Sequence, residues 1–96
     1  MPSASKNIAI VGGGLTGLTA AWRLHQAGHR VTVFEKAPQV GGAITSHARD
    51  GWLVEGGPNS LQETPAVATL ISDLGLSEQR ALVSPAAKQR FIVRDG

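Results

Sequence analysis

Three glycines spaced as G-x-G-x-x-G, at Gly12, Gly14 and Gly17, constrain this chain more than any other feature. The apolar, β-branched run 7–11 before them is typical of a buried strand. The segment after them continues without proline to Gly28, which predicts a helix ending there. A second β-branched run at 30–34 predicts another strand. This order of elements is typical of the βαβ unit of a dinucleotide-binding fold.

Each glycine of the pattern has its own physical reason. Gly12 allows a sharp turn from strand to helix, Gly14 lacks a Cβ and lets a pyrophosphate approach the backbone, and Gly17 lets the helix lie close to the strand. The unpaired N–H groups and the positive end of the helix dipole then face the phosphates. We therefore predict a pyrophosphate site formed by Gly12, Gly13, Gly14, Leu15, Thr16 and Gly17.

An acidic residue, Glu35, ends the second predicted strand. An acid about 20 residues beyond the glycines is the expected partner of a ribose hydroxyl pair. Because a carboxylate would repel a 2′-phosphate, an NADP-type adenosine is disfavoured. The alternative is a structural glycine-rich turn beside a solvated surface glutamate, which leaves the matching order of strand, glycines, helix, strand and acid unexplained.

Composition excludes several other kinds of site. The net charge is only +2 and no Lys/Arg cluster is present, so nothing predicts binding to nucleic acid. The absence of cysteine excludes disulfides, thiolate metal sites, iron–sulfur clusters and a cysteinyl flavin link. No acid–histidine cluster predicts a metal, and no catalytic constellation identifies a catalytic residue. If the protein is an enzyme, a cofactor therefore carries the chemistry.

Two glycine-rich loops follow the second predicted strand. Pro38 and the pair Gly41-Gly42 mark the first. It is either a plain connection or a second close backbone approach to the dinucleotide, and the residues alone favour neither. A hairpin of strands 44–47 and 52–54 is predicted next, across an Asp-Gly turn. The second loop, 55–60, either presents backbone N–H groups to a polar ligand or is only a turn.

Beyond these loops, the sequence predicts a helix and an interrupted hairpin. Thr64-Pro65 is typical of a helix start, and Gly75 of a helix end. Residues 89–93 predict a strand, but no return strand follows its Asp-Gly turn signal. We therefore expect residues 1–96 to be the N-terminal dinucleotide-binding segment of a longer protein. Residues 1–6 would be a disordered tail, and the remaining strands and a substrate domain would lie outside this chain.

The sequence also resembles the start of the flavin amine-oxidase superfamily, which includes amine oxidases, phytoene desaturases and protoporphyrinogen oxidases. This resemblance rests on segments 9–21, 33–36 and 40–46. Segments 53–61, 74–76 and 85–96 are similar to the bacterial protoporphyrinogen and coproporphyrinogen III oxidases within it. The resemblance implies an α/β, Rossmann-like FAD/NAD(P)-binding fold. Residues 1–96 would then form an N-terminal βαβ unit with additional short strands and a helix. They would be a fragment of a larger two-domain flavoprotein.

Non-covalent FAD is the cofactor that the resemblance implies. The glycine bend would bind its pyrophosphate, and Glu35 its adenosine ribose, with Lys36 beside it. The path toward the flavin would be lined by Gly41, Gly42 and Ala43, and the isoalloxazine end by Gly57, Pro58, Asn59 and Ser60. Ala43 departs from the arginine, lysine or bulky residue usual after the glycine pair, which leaves a backbone contact to expect there.

The implied reaction is hydride transfer from a porphyrinogen to flavin N5. Dioxygen then reoxidises the flavin and yields hydrogen peroxide, and repeated rounds give the porphyrin of haem synthesis. Residues 1–96 alone are expected to be inactive. The resemblance implies a cytoplasmic protein and leaves peripheral attachment to the inner face of the membrane open. Two alternatives remain: another FAD oxidoreductase of the superfamily, acting on amines or polyenes, and a non-catalytic dinucleotide-binding module.

Overall fold

The computed structural model describes residues 4–88 and 91–95, which form an α/β arrangement. The elements are β1 (Asn7–Val11), α1 (Leu15–Gln26), β2 (Arg30–Phe34), β3 (Ser46–Arg49), β4 (Trp52–Glu55) and α2 (Pro65–Asp73), with short 3₁₀ helices at Ser77–Gln79 and Pro85–Lys88. The chain divides into two compact units, Met1–Leu61 and Gln62–Gly96. All four strands and α1 belong to the first unit.

Strands β1 and β2 pair in parallel, with Asn7 opposite Arg30 and Val11 opposite Phe34. Alternate residues on one face are half-buried where α1 contacts both strands: Ile8, Ile10, Val31 and Val33. This confirms the predicted βαβ unit. The opposite face is open, since Val11 is 90% exposed and Phe34 57% exposed.

Both α-helices end at the predicted glycines. Gly28 and Gly75 have φ angles of +94° and +71°, which glycine adopts at little cost. After α1, the N–H of His29 donates to the Leu24 carbonyl at 3.1 Å, and after α2 the N–H of Leu76 donates to the Ile71 carbonyl at 3.0 Å. These bonds are those of a Schellman motif and satisfy carbonyls that the helix leaves unpaired.

The start of α2 also agrees with the sequence prediction. Thr64 is the N-cap, and its hydroxyl oxygen accepts a hydrogen bond from the N–H of Val67 at 3.3 Å. Pro65 occupies the first helical position, where its missing N–H costs nothing. This helix lies in the second unit and carries none of the predicted cofactor residues.

The hairpin of β3 and β4 is antiparallel and differs in its limits from the prediction. Its turn is the predicted Asp50-Gly51 pair, with φ of +50° and +81°, as a two-residue type I′ turn requires. However, β3 begins at Ser46 rather than Ile44. The N–H of Ile44 instead donates to the Gly41 carbonyl at 3.1 Å, so this residue closes a tight turn.

The predicted strand over 89–93 is not formed by the part that can be described. Residues 91–93 belong to no helix or strand and are strongly exposed, while Gln89 and Arg90 lie outside the described residues. An apolar alternating segment becomes a strand only when another strand supplies its hydrogen bonds. No described segment pairs with residues 91–93.

Apolar side chains are only partly covered throughout residues 4–88 and 91–95. None of them is fully buried in this part of the chain, and Gly13 is its one buried residue. The best-covered region is therefore the junction of β1, α1 and the loop after β2, where the predicted site lies.

Candidate dinucleotide-binding site

An open cleft of about 560 Å³ lies over the glycine bend. Its lining comprises Ala9, Ile10, Val11, Gly12, Gly14, Leu15, Thr16, Gly17 and Ala20. Five of the six residues predicted for the pyrophosphate thus share one cleft, and residues 4–88 and 91–95 leave its mouth open. Ala20 was not predicted, although a small residue one turn after Gly17 is a signal that could have identified it.

Gly12 and Gly17 have the structural roles that the motif predicts. Gly12 has a φ of +102°, and its N–H donates to the Phe34 carbonyl at 2.8 Å, where β1 turns into the bend. A Cβ on Gly17 would overlap the carbonyl oxygen of Gly12 and lie 3.4 Å from Cγ2 of Ile10. Only glycine therefore allows α1 to approach β1 so closely.

Gly14 differs from Gly13 and Gly17 because a Cβ there would face almost open space. The nearest atom would be the Cα of Gly42, at 3.9 Å. Its φ of −79° suits any residue, so neither strain nor crowding within the chain requires glycine here. A ligand that approaches the backbone does provide a reason for glycine.

The N-terminus of α1 is open to an anion. Gly14 is the N-cap and supplies no side-chain hydrogen bond, and the first turn contains no acidic residue. The first backbone N–H groups of a helix have no acceptor inside the helix. Together with the space over Gly14, this arrangement fits a pyrophosphate.

Glu35 lies directly against the bend. Its Oε1 accepts a hydrogen bond from the N–H of Gly13 at 2.9 Å, and its Oε2 accepts one from the N–H of Ala37 at 2.8 Å. The N–H donors of Ala37, Gly13 and Lys36 lower the pKa of the Glu35 carboxyl below its ordinary value, although partial desolvation opposes them. The ionised carboxylate retains further lone pairs, which fit ribose hydroxyl donors.

The Gly41-Gly42 loop folds back onto the glycine bend. The N–H of Gly41 donates to the Gly13 carbonyl at 2.8 Å. Gly42 has a φ of +60°, and a Cβ there would lie 3.2 Å from the Cα of Gly14. This loop therefore contacts the bend itself, and its close approach to the dinucleotide stays a prediction.

Two of the residues predicted for the flavin side of the site contact each other. A Cβ on Gly57 would overlap the carbonyl oxygen of Ala43, so these two predicted residues touch each other. The exposed residues Lys36, Pro58, Asn59 and Ser60 do not line the cleft. Their contacts with a cofactor stay predictions.

Two residues near the bend were not anticipated from the sequence. Ala37 donates its N–H to Glu35, and a Cβ on Gly13 would lie 3.0 Å from Cγ1 of Val40. A side chain that bonds the N–H two residues further on is a recognisable local pattern. The contact of Val40 has no such signal, because it depends on how the loop folds back.

Two other structural findings bear on the kind of site. Within residues 4–88 and 91–95, no three His, Asp or Glu side chains come together as a metal site. In the same ranges, neither α-helix has the length and apolar character needed to cross a bilayer.

Comparison with known proteins identifies relatives over nearly the whole chain. It is 41% identical over 92 residues to protoporphyrinogen oxidase 2 of Arabidopsis thaliana, covering 95% of this chain and 18% of that protein. It is 44% identical over 91 residues to coproporphyrinogen III oxidase of Propionibacterium freudenreichii, covering 93% and 17%. The chain thus spans less than a fifth of the length of either relative.

A desaturase and a crystal structure extend these similarities. Over 51 residues the chain is 53% identical to a 4,4'-diapophytoene desaturase of Staphylococcus haemolyticus, covering 53% of this chain and 10% of that one. A provisionally named protoporphyrinogen oxidase of Exiguobacterium sp. 255-15 shares 32% identity and a TM-score of 0.65, covering 81% of this chain and 18% of its own.

The family match agrees with the geometry of the bend. Residues 15–96 match the family described as flavin containing amine oxidoreductase. The cleft over Gly14, the open start of α1 and the carboxylate of Glu35 fit the pyrophosphate and ribose of FAD, the cofactor that this family implies. The chain therefore belongs to the family of flavin-containing amine oxidoreductases.

Proposed function

We propose that this chain is the N-terminal FAD-binding part of an FAD-dependent oxidase that converts a porphyrinogen into a porphyrin. The observation that carries the binding part is the open cleft over Gly14 at the start of α1, together with the Glu35 carboxylate that accepts from the N–H of the adjoining Gly13. The choice of substrate is supported by the two porphyrinogen-oxidising relatives, which match more than nine-tenths of the chain.

The first task of the chain is to bind the diphosphate. Backbone N–H groups of Leu15, Thr16 and Gly17 stand in the first turn of α1, where no acidic side chain competes for them. Oriented N–H groups bind an anion without the entropy cost of ordering long side chains. Thr16 lines the same cleft, and its hydroxyl group is a further donor that a phosphate could use.

The second task is to select the adenosine ribose. Glu35 is kept ionised by its backbone donors, and an ionised carboxylate only accepts hydrogen bonds. Two ribose hydroxyls satisfy it, whereas a 2′-phosphate would place like charges together. This supports FAD over an NADP-type dinucleotide.

Bound FAD would supply the two-electron oxidation of the substrate, with dioxygen as the final oxidant. The chain's own residues bind and orient that cofactor. Gly41 and Gly42 border the bend, and Ala43 with Gly57–Ser60 would continue toward the isoalloxazine. Substrate-binding and catalytic residues would come from the rest of a longer protein.

A second candidate is an FAD-dependent oxidoreductase with a polyene or amine substrate. The 53% identity to a diapophytoene desaturase favours this candidate, although that match covers only about half of the chain. A shared cofactor-binding segment gives similarity without a shared substrate. The longer matches to the porphyrinogen oxidases favour the first candidate.

The test uses the full natural chain, purified and examined for a bound flavin by its visible spectrum. Protoporphyrinogen, coproporphyrinogen, an amine and a polyene are then supplied in air, and porphyrin fluorescence and hydrogen peroxide are measured. We expect a yellow protein that produces porphyrin and peroxide together. Turnover of only the amine or polyene would overturn the substrate proposal, and a protein that cannot bind flavin would overturn the whole of it. Cell fractionation tests the accompanying proposal of a cytoplasmic location, with peripheral membrane attachment as its alternative.

A further inference from the structure

We infer that residues 35–42 hold the main chain of Gly13 from both sides, and thereby shape the phosphate-binding bend before any cofactor binds. Glu35 is then a positioning residue for the phosphate site as well as a partner of the ribose. This inference rests on the proposed function and adds to it a task of the cofactor-free protein.

The hydrogen bonds of Gly13 are the first support. Its N–H donates to Oε1 of Glu35 at 2.9 Å, and its carbonyl accepts from the N–H of Gly41 at 2.8 Å. Both polar groups of this one residue are therefore satisfied by the segment that follows β2. Since the Gly13 N–H is already used, the phosphates are left to the N–H groups that follow it.

Packing on Gly13 is the second support. Gly13 is buried, and a Cβ there would lie 3.0 Å from Cγ1 of Val40 and 3.3 Å from Cβ of Glu35. The same segment reaches Gly14, since a Cβ on Gly42 would lie 3.2 Å from its Cα. Side chains and backbone of residues 35–42 thus pack on Gly13 and reach the Cα of Gly14.

The carboxylate of Glu35 is itself held in place. Its Oε2 accepts from the N–H of Ala37 at 2.8 Å, so the side chain bridges its own loop and the bend. Hydrogen bonds to an ionised acceptor are about twice as strong as those between neutral groups. Because Gly14 and the start of α1 follow Gly13 directly, releasing Gly13 loosens the phosphate donors.

This arrangement separates two roles of Glu35 that a simple loss of FAD affinity cannot distinguish. A residue that binds only ribose has no effect on a ligand whose ribose lacks hydroxyls. A residue that also positions the bend weakens such a ligand, because the phosphate site itself is disturbed. The two roles therefore differ in their dependence on the ligand.

The experiment compares Glu35→Ala and Glu35→Gln with the wild type in the full natural chain. The ligands are FAD and an FAD analogue whose adenosine ribose lacks the 2′ and 3′ hydroxyls. The matched control is Glu55→Ala, because Glu55 is also a strand-end glutamate with a hydrogen-bonded carboxylate, which accepts from the Ser46 hydroxyl at 2.6 Å. Hydrogen–deuterium exchange of the cofactor-free protein over residues 12–17 is the second readout.

We expect Glu35→Ala to weaken binding of the dihydroxyl-free analogue by about tenfold, in line with the loss of one hydrogen bond to a charged group. Exchange over residues 12–17 should be faster than in the wild type. In both readouts, Glu35→Gln should lie between the wild type and Glu35→Ala, because its amide oxygen can accept from only one of the two N–H groups. Glu55→Ala should change both readouts by less than about twofold.

Equal affinity of wild type and Glu35→Ala for the analogue, with unchanged exchange, would overturn the inference. If FAD binding were still weakened in that variant, the ribose contact and the proposed function would stand. A wild type that binds neither ligand would overturn the proposed function itself. If Glu35→Ala does not fold, Glu35→Gln decides by the same two measurements.

Discussion

The first unit contains two glycine bends, at residues 12–17 and 55–60, and the glycines of the two bends have different roles. In the bend from Gly12 to Gly17, the Cβ position of Gly14 faces almost open space at the start of a helix. In the other bend, a Cβ on Gly57 would overlap the Ala43 carbonyl, and one on Gly56 would lie 2.6 Å from the Thr45 hydroxyl oxygen. The second bend needs its glycines to pack against its own chain.

This difference shows how a glycine kept for a ligand can be recognised. A glycine with positive φ, or with a Cβ position filled by the protein, has a structural explanation. Gly14 has neither, and an open start of α1 lies beside it. Substitutions in the two bends should therefore affect either folding or cofactor binding, and comparing their effects tests this difference.

The largest effect is expected for Gly17→Ala. The added methyl would overlap the Gly12 carbonyl and force α1 away from β1, at a cost of about 3 kcal/mol in the free energy of unfolding. Denaturant titration measures this cost. Gly51→Ala is the control, since its φ of +81° is also unfavourable but no atom lies within 4 Å of the added Cβ. A loss no greater than that of the control would contradict the close approach.

Gly14→Val should abolish FAD binding while the protein stays folded. Its side chain would enter the space that we assign to the pyrophosphate, and we expect at least about a hundredfold loss of affinity, roughly 2.7 kcal/mol. Gly57→Val should instead lower stability, because its side chain meets the Ala43 carbonyl. Flavin titration and thermal unfolding of both variants separate the two outcomes. Normal flavin retention by Gly14→Val would refute the assignment.

Glutamates beside the two bends should also differ. Glu35→Gln should weaken FAD binding by about tenfold, because a neutral amide replaces a carboxylate that accepts from Gly13 and faces the ribose. Glu55→Gln should have an effect of less than about twofold, since its carboxylate accepts from the Ser46 hydroxyl in the hairpin. Equal losses of FAD affinity in the two variants would count against the ribose assignment.

The smallest effect is a dependence of stability on pH. The pKa of Glu35 is lower in the folded protein than its ordinary value, because the N–H groups of Ala37 and Gly13 favour the ionised form. The contribution of the ionised Glu35 carboxylate to the free energy of unfolding is therefore complete above the ordinary glutamate pKa of about 4.3. It is lost as the pH falls through the lower pKa of the folded protein. The stability difference between wild type and Glu35→Gln should shrink over that range in urea titrations. A difference that grows as the pH falls would reverse the sign of this shift.

Sequence patterns located most of the helices and strands to within a residue or two. Strands 7–11 and 30–34 and the glycine ends of both helices depend on near neighbours in the chain, which local patterns describe well. The start of β3 was misplaced because the turn closed by Ile44 needs its bond to Gly41. The strand over 89–93 was predicted from alternation alone, which cannot supply a pairing partner.

The sequence by itself determined the βαβ order, the placing of glycines at the bend and the presence of an acid after the second strand. Only the tertiary structure decided that Glu35 reaches Gly13, that Gly41 closes on the same residue, and that Gly14 faces open space. The reason is that short-range patterns reflect backbone preferences of neighbouring residues. Contacts between residues more than 20 positions apart depend on the path of the whole chain between them.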